Sequence, residues 1–347
     1  MSTMQEVVMN AKLGAAVWGA GWVSGEHIKA YKNNPHCEVV AIGSRKAESA
    51  RAKADEAGIE CAIYTDYDEL LADKRVDIVS ICTPNDRHAI ETIKAAEAGK
   101  HILIEKPVAL NLEDLARMRD VVRRAGVKTV VSFVLRWNPL FECIKGLQKT
   151  IALGQIFYAE VDYWHPLGRW YKGFDWVTTK KAGGSMLLAA GCHAVDAIRY
   201  FMESEIVEVS AYTTNAGECE YPGTIVAALK FENGRIGKVS ATWDVRSPYT
   251  FSIELLGENG TLRDNRLYSK ALLPGQTKFL EIPTILPDSG DVTHHPFQPE
   301  IDHLVDCILT NTESHVNLED AVKTHEVCIA ADMSAEEGHP VRLPLIS

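Results

Sequence analysis

The chain has 347 residues, 46% of them hydrophobic and 24% charged, which is enough for two domains with sizeable cores. Its formal charge of -11 excludes the basic face that general nucleic-acid binding needs, and no apolar run approaches the roughly 18 residues of a membrane span. The opening MSTMQEVVMNAK lacks the basic segment and apolar core of a secretory signal, and the eight cysteines form no C-x-x-C pair, so a reduced, cytoplasmic protein without a metal site is expected.

Leu13 to Trp18 reads as a first strand, leading into Gly19-Ala20-Gly21-Trp22-Val23-Ser24. This is the G-x-G-x-x-G dinucleotide fingerprint with serine in its third position. The first two glycines permit a tight turn and close approach of backbone to a pyrophosphate, and the following helix offers amide donors and a positive dipole end. Cys37 to Ile42 is the second strand. Where NAD-binding sheets usually carry an acidic residue for the ribose hydroxyl, this chain has Gly43-Ser44-Arg45-Lys46. Ser44 can donate to a 2′-phosphate, and Arg45 can neutralise one, which favours NADP; Arg45 stacked on adenine would admit NAD. A third strand lies near Tyr64, and Tyr67 to Leu71 starts a short helix.

Val76 to Cys82 is a β-branched run suited to a strand buried on both faces. Thr83-Pro84-Asn85 stops it, Asp86 to Ala98 has helical spacing ended by Gly99, and His101 to Ile104 is a second strand running into Glu105-Lys106-Pro107. Strand, helix and strand make one βαβ unit, and ligands of such sheets bind beyond the carboxyl ends of the strands. The pattern VDIVSICTPNDRH…AAEAGKHILIEKP resembles the glucose–fructose oxidoreductase / inositol dehydrogenase (Gfo/Idh/MocA) family of NAD(P)-dependent oxidoreductases, and the similarity continues across nearly the whole chain. That resemblance implies an N-terminal Rossmann domain over residues 1–135. It further implies a C-terminal α+β domain over 136–347, built on a large, open, mainly antiparallel sheet whose outer face pairs subunits into a homodimer or homotetramer. Expected cofactor contacts are Gly19, Gly21, Trp22, Val23, Ser44, Arg45, Thr83, Pro84, Asn85, His88, Glu105 and Lys106.

Leu112 to Ala125 reads as an amphipathic helix and Val127 to Leu135 as a returning strand. Gln155 to His165 alternates as a half-buried strand does, and residues 166–184 form a loop rich in aromatics and cations, in which burial or ligand stacking is expected of Trp170 and Trp176. Glu232-Asn233-Gly234 and Glu258-Asn259-Gly260 mark hairpins between the strands Thr224–Phe231, Arg235–Trp243 and Thr250 onward. Residues 269–299 are irregular and carry His294-His295-Pro296, and two helices, Pro299–Asn311 and Leu318–Ala335, close the chain.

Gly183-Gly184 precedes a helical stretch that resembles the family's G-G-x-x-x-x-D-x-G-x-H-x-x-D. His193 matches its catalytic histidine, Asp196 is placed to orient that ring, and the family's aspartate position is Ala189. A hydride leaves a carbinol carbon more readily when the hydroxyl loses its proton, so a histidine base suits the chemistry, and a cation stabilises the developing alkoxide. The resemblance gives those roles to His193 and Lys106. Arg136, Tyr163, His165 and Trp176 complete the expected substrate contacts, with Tyr163, His165 and Asp162 as candidates to replace the absent aspartate. The implied activity is that of a sugar or polyol dehydrogenase or reductase on a small carbohydrate. The alternative is a glycoside hydrolase or lyase that oxidises a sugar hydroxyl only transiently.

Overall fold

The computed structural model of the protein describes residues 12–287 and 295–346, and the expectation for His294 lies outside them. The chain divides into two compact units. The first comprises Met1–Val108, Asp114–Ser132 and Phe297–Asp320; the second comprises Ala109–Glu113, Phe133–Pro296 and Ala321–Ser347. A single crossing after residue 135 was the expectation. Instead the chain crosses at Ser132/Phe133, and the helix Phe297–Thr310 returns to the first unit.

In the first unit six parallel strands form one sheet: β1 (Leu13–Trp18), β2 (Cys37–Gly43), β3 (Ala62–Tyr64), β4 (Ile78–Ile81), β5 (His101–Ile104) and β6 (Thr129–Val131), in the order β3-β2-β1-β4-β5-β6. β1, β4 and β5 are almost wholly buried, which explains why they read as continuous apolar runs rather than alternating ones. The order reverses beside β1, and at that switch point an open α/β sheet forms its ligand crevice. The strand expected over Val127–Leu135 is shorter. Ser132 donates its amide to the Ile104 carbonyl, and Phe133 then turns the chain into a short 3₁₀ helix, Val134–Trp137. Val316 accepts the β6 amide of Val131, and the Leu318 amide donates to the Thr129 hydroxyl, so the C-terminal segment completes this edge.

The second unit is built on nine strands: β7 (Ile156–Trp164), β8 (Ile206–Thr214), β9 (Thr224–Phe231), β10 (Ile236–Thr242), β11 (Thr250–Gly257), β12 (Thr261–Arg263), β13 (Arg266–Tyr268), β14 (Leu280–Glu281) and β15 (Val341–Arg342). They are ordered β14-β13-β12-β11-β7-β10-β9-β8-β15. Every pairing is antiparallel except β7 with β10. Only Gly234 of the first Asn-Gly pair takes a left-handed conformation. The second hairpin needs Gly260 for space, since a Cβ there would lie 2.4 Å from the Ala152 carbonyl oxygen.

One face of this sheet is covered by the helix Cys192–Met202, which is buried on every side except at Tyr200. Its contact is close: a Cβ on Gly237 would lie 2.7 Å from Ile198, and one on Gly191 2.6 Å from Ala241. The helix Leu318–Glu337 supplies Thr324, whose hydroxyl accepts from the Arg199 guanidinium at 2.8 Å. Val161 and Tyr163 of β7 face inward, whereas Glu160, Asp162 and Trp164 face outward with Lys238 and Ser240 of β10. Asp162 therefore stands on the opposite side of the sheet from Tyr163. This removes it as a substitute for the missing aspartate.

Candidate active site

At the carboxyl edge of the first sheet, Gly19 has φ 110° and a Cβ there would meet the Cys82 carbonyl oxygen at 2.3 Å. Gly21 differs: it is exposed, and the nearest atom to a Cβ built on it is 3.7 Å away. One glycine makes the turn, and the other keeps space above it. Ser24, fully buried, donates its hydroxyl to the Gly21 carbonyl at 2.8 Å, so the small residue in the third position of the fingerprint ties the turn to the helix Ser24–Asn33. That helix has no side-chain cap, which suits its first turn to receive a phosphate. Trp22 is exposed and Val23 half-buried beside them. Ser44, Arg45 and Lys46 follow β2, with both cations exposed and no acidic side chain among them.

The loops after β4 and β5 are tied to each other. Thr83 donates its hydroxyl to Glu91 at 2.5 Å, and Asn85 is buried with its side-chain amide nitrogen unbonded among the described residues. His88, expected at the cofactor, is 1% exposed instead. Its two ring nitrogens contact the Thr83 and Pro107 carbonyl oxygens, each at 2.7 Å. It holds the Thr83-Pro84-Asn85 loop to the Glu105-Lys106-Pro107 loop, a positioning task rather than a binding one. Lys106 is half-buried, and its ammonium enters no hydrogen bond or ion pair among the described residues. A dinucleotide fits this set. Gly21 leaves room for backbone to approach a pyrophosphate, the uncapped helix start offers donors, and the Asn85 amide awaits an acceptor.

Glu105, expected at the cofactor, is buried and belongs to a network not legible in the sequence. It accepts from His27 Nε2 at 3.1 Å, while Cys82 Sγ lies 3.6 Å from His27 Nδ1. Burial pushes the Glu105 carboxyl up, but the His27 hydrogen bond and the charges of His27, Lys106 and His88 more than offset it, leaving the group below its ordinary range. Glu300, on the returning helix, goes the other way. Burial drives it well above that range and the Glu105 charge adds to the shift, against the hydroxyl that Ser132 donates at 3.1 Å. The two buried carboxyls are thus shifted in opposite directions, Glu105 towards its ionised form and Glu300 towards its protonated one. The signal for Glu300 was present in the spacing Phe297, Glu300, Ile301, Leu304, which sets an acid on an apolar stripe.

This arrangement gives a stability expectation. Unfolded, Glu300 releases its proton near the ordinary carboxyl value; folded, it retains it. Stability therefore falls as pH rises from that value towards the folded one. Glu300→Gln removes the penalty, so its urea midpoint should vary less between acid and neutral pH than that of the wild type. Parallel profiles would show that Glu300 is ionised in the fold.

In the second unit, His193 (5% exposed) lies with its ring 6.1 Å from that of Tyr163, nearly parallel, and receives the edge of Phe133 at 5.8 Å. Tyr163 has its phenol driven well above the usual value by burial, which keeps it protonated. His165 has Nδ1 2.8 Å from the Pro166 carbonyl, which accepts from it, making Nε2 the acceptor of the neutral ring. Residues 189 and 193, four apart, would stack on one face of an α-helix, but a π-helical turn over Leu187–Gly191 widens the helix by i→i+5 bonding just before His193. The Asp196 carboxylate is held by Arg136 in a two-pronged pair at 2.6 and 2.9 Å, with both side chains at most 4% exposed. Arg136, expected at the substrate, thus points into the unit's interior, where losing one partner of such a pair costs about 3–5 kcal/mol. Trp176 is half-buried in a one-turn helix, Phe174–Val177, and Trp170 is 67% exposed with its ring over His165.

Comparison with known proteins agrees with this construction. Residues 13–133 match the family model of an oxidoreductase family with an NAD-binding Rossmann fold, and residues 141–263 match the GFO/IDH/MocA C-terminal domain. The chain is 30% identical over 349 residues to scyllo-inositol 2-dehydrogenase (NAD(+)) of Bacillus subtilis, across 96% of this chain and 97% of that one. It is 29% identical to D-xylose 1-dehydrogenase (NADP(+)) 2 of Haloferax volcanii, across 88% and 92%. In fold it matches levoglucosan dehydrogenase, solved with NADH and levoglucosan, at a TM-score of 0.88 and 23% identity over 96% of this chain and 100% of that one. With two family models spanning most of its length and an inositol dehydrogenase among its relatives, the chain belongs to the Gfo/Idh/MocA family of NAD-binding sugar and polyol oxidoreductases.

Proposed function

We propose that the protein is a dehydrogenase or reductase acting on a carbinol carbon of a sugar, polyol or sugar derivative. The observation that carries this reading is the phosphate cradle of Gly19–Ser24, set at the same sheet edge as Thr83-Pro84-Asn85 and Glu105-Lys106-Pro107, in a chain whose relatives are dehydrogenases and reductases. The bound nicotinamide supplies the hydride acceptor or donor. In this reading Lys106 brings an ammonium that stabilises negative charge developing on the substrate oxygen. His193 takes the hydroxyl proton, with the ring of Tyr163 beside it. Ala189 offers no proton path, so the two carry the proton chemistry without the family's aspartate.

The test is reduced-nicotinamide absorbance with a panel of inositols, aldoses and anhydro sugars. A net change with one of them supports the reading. Release of an aglycone without net change identifies transient oxidation instead, and failure to bind either nucleotide overturns the reading entirely.

NADP is the cofactor this reading favours, because Ser44, Arg45 and Lys46 stand where an acidic residue would select NAD. Arg45→Ala should weaken NADP by roughly 10- to 100-fold, since charge-assisted contacts to a phosphate contribute about 1.5–3 kcal/mol each, and leave NAD nearly unchanged. Calorimetry with both nucleotides decides it: equal losses mean that Arg45 stacks on adenine. Assembly into a homodimer or homotetramer belongs to the same reading, through the uncovered face of the second sheet, where Trp164, Tyr212, Val226 and Ile236 are exposed. The described residues contain no helix long and apolar enough to cross a membrane.

A further inference from the structure

Four aromatic rings of the second unit stand in a row of which the mechanism above uses only one end. Tyr163 and His165 are two residues apart in sequence, on the same side of β7 and its extension. Their centroids are 6.3 Å apart, close to two strand rises of about 3.3 Å each. His193 stands beside Tyr163 at 6.1 Å, and Trp170 beside His165 at 6.2 Å. Interplanar angles of 19°, 10° and 26° keep successive rings near parallel. Tyr249 closes edge-on against the two middle rings, at 5.4 and 5.5 Å. Exposure is 5% at His193, 8% at Tyr163 and 9% at His165, then 67% at Trp170. The row is buried at the candidate base and opens to water at an indole.

Scattered exposed aromatics need no explanation, but this indole is held in place. A Cβ on Gly168 would lie 2.5 Å from Trp170 Nε1, so only glycine lets the ring fold back to its position. Tyr171 meets it edge-on at 6.2 Å. The preceding residue, Arg169, is exposed and pairs with Glu218, and both groups hydrogen-bond hydroxyls. An exposed aromatic face with charged donors and acceptors nearby in the chain fits a ligand with an apolar face and a polar rim. A pyranose ring, with C–H bonds on its faces and hydroxyls on its edge, is such a ligand. Three ring contacts of 6.1–6.3 Å connect His193 to Trp170, so the indole stands three contacts from the candidate base.

We propose that Trp170, supported by His165 and Tyr249, is a platform for a second pyranose ring, glycosidically linked to the ring whose hydroxyl is oxidised. This rests on the dehydrogenase reading and names its substrate class as disaccharides and related glycosides. Trp170→Ala is exposed enough to leave the fold intact. It should raise KM for cellobiose, maltose or lactose, whichever is turned over, by about tenfold with little change in kcat, while any turnover of glucose or myo-inositol keeps its KM. Trp170→Phe should recover most of the loss, and Gly168→Ala, which displaces the indole, should reproduce it.

Binding is tested apart from turnover by calorimetry of the same disaccharides with nucleotide-loaded Lys106→Met enzyme, with and without Trp170→Ala. Loss of disaccharide binding on removing the indole supports the platform even where no sugar is oxidised, an outcome that sinks only the dehydrogenase reading. Equal effects on mono- and disaccharides, or none on either, overturn it. So does a change confined to oligomeric state in sedimentation, which would assign the indole to a subunit contact.

Discussion

Lys106→Met and His193→Ala are each expected to lower kcat by roughly 100-fold or more. In the proposed mechanism both groups act on charge that exists mainly in the transition state: the ammonium on the oxygen becoming an alkoxide, the imidazole on the proton leaving it. KM should move less than kcat for the same reason. Nucleotide affinity should survive in His193→Ala, because that side chain is held within the second unit by Tyr163 and Phe133. That mechanism has the two assist one proton transfer, so the double variant should be little worse than the poorer single one. Steady-state kinetics and nucleotide calorimetry on the three proteins test this. A His193→Ala enzyme with near-normal turnover would mean that the proton leaves by another route. The next group to test would then be His165 rather than Tyr163, whose phenol burial keeps protonated.

The two fingerprint glycines should fail in different ways. Gly19→Ala forces a side chain into a left-handed conformation and against the Cys82 carbonyl at 2.3 Å. Backbone strain and overpacking together give about 2–6 kcal/mol of lost stability. Gly21→Ala meets nothing within 3.7 Å, so its unfolding midpoint should match the wild type. The methyl group instead occupies the space through which the backbone reaches a pyrophosphate. Losing charge-assisted bonds of about 1.5–3 kcal/mol each should then weaken nucleotide binding roughly 100-fold or more. Urea titration and calorimetry on both variants separate the effects. A Gly21→Ala protein that binds nucleotide normally would place the phosphates elsewhere.

The parallel sheet was legible because its buried strands are uninterrupted β-branched runs punctuated by Gly and Pro. The loops that follow β4 and β5 were legible because a strand's end fixes where they lie. Side-chain periodicity likewise put Tyr163 and His165 on one face. The same rule, applied to Asp162 one residue earlier, would have excluded it, since a one-residue step reverses the face. Long-range pairing was harder to read. Nothing local shows that His88 spends both ring nitrogens on two loop carbonyls, or that Asp196 is held by Arg136 sixty residues away. The π turn before His193 was hidden too, because Leu, Ala and Gly carry no mark that distinguishes it from an α-helical turn. Glu300 left a trace, an acid in an apolar stripe, but its neighbour Glu105 lies far away in sequence.

That the helix Phe297–Thr310 belongs to the first unit has a consequence in time. On the ribosome, residues up to Ser132 are made first, yet β6 lacks its backbone partner at Val316, and Asn34 lacks the carboxylate of Asp302 that it bonds at 2.7 Å. The 188 residues from Ser132 to Asp320 must be synthesised before the nucleotide-binding unit is whole, a wait of roughly 10–40 s at about 5–20 residues per second. Throughout it, the Rossmann sheet has an open edge. A nascent chain halted near residue 135 should therefore engage chaperones and be cut by protease, while one extended past residue 320 and its exit tunnel becomes resistant.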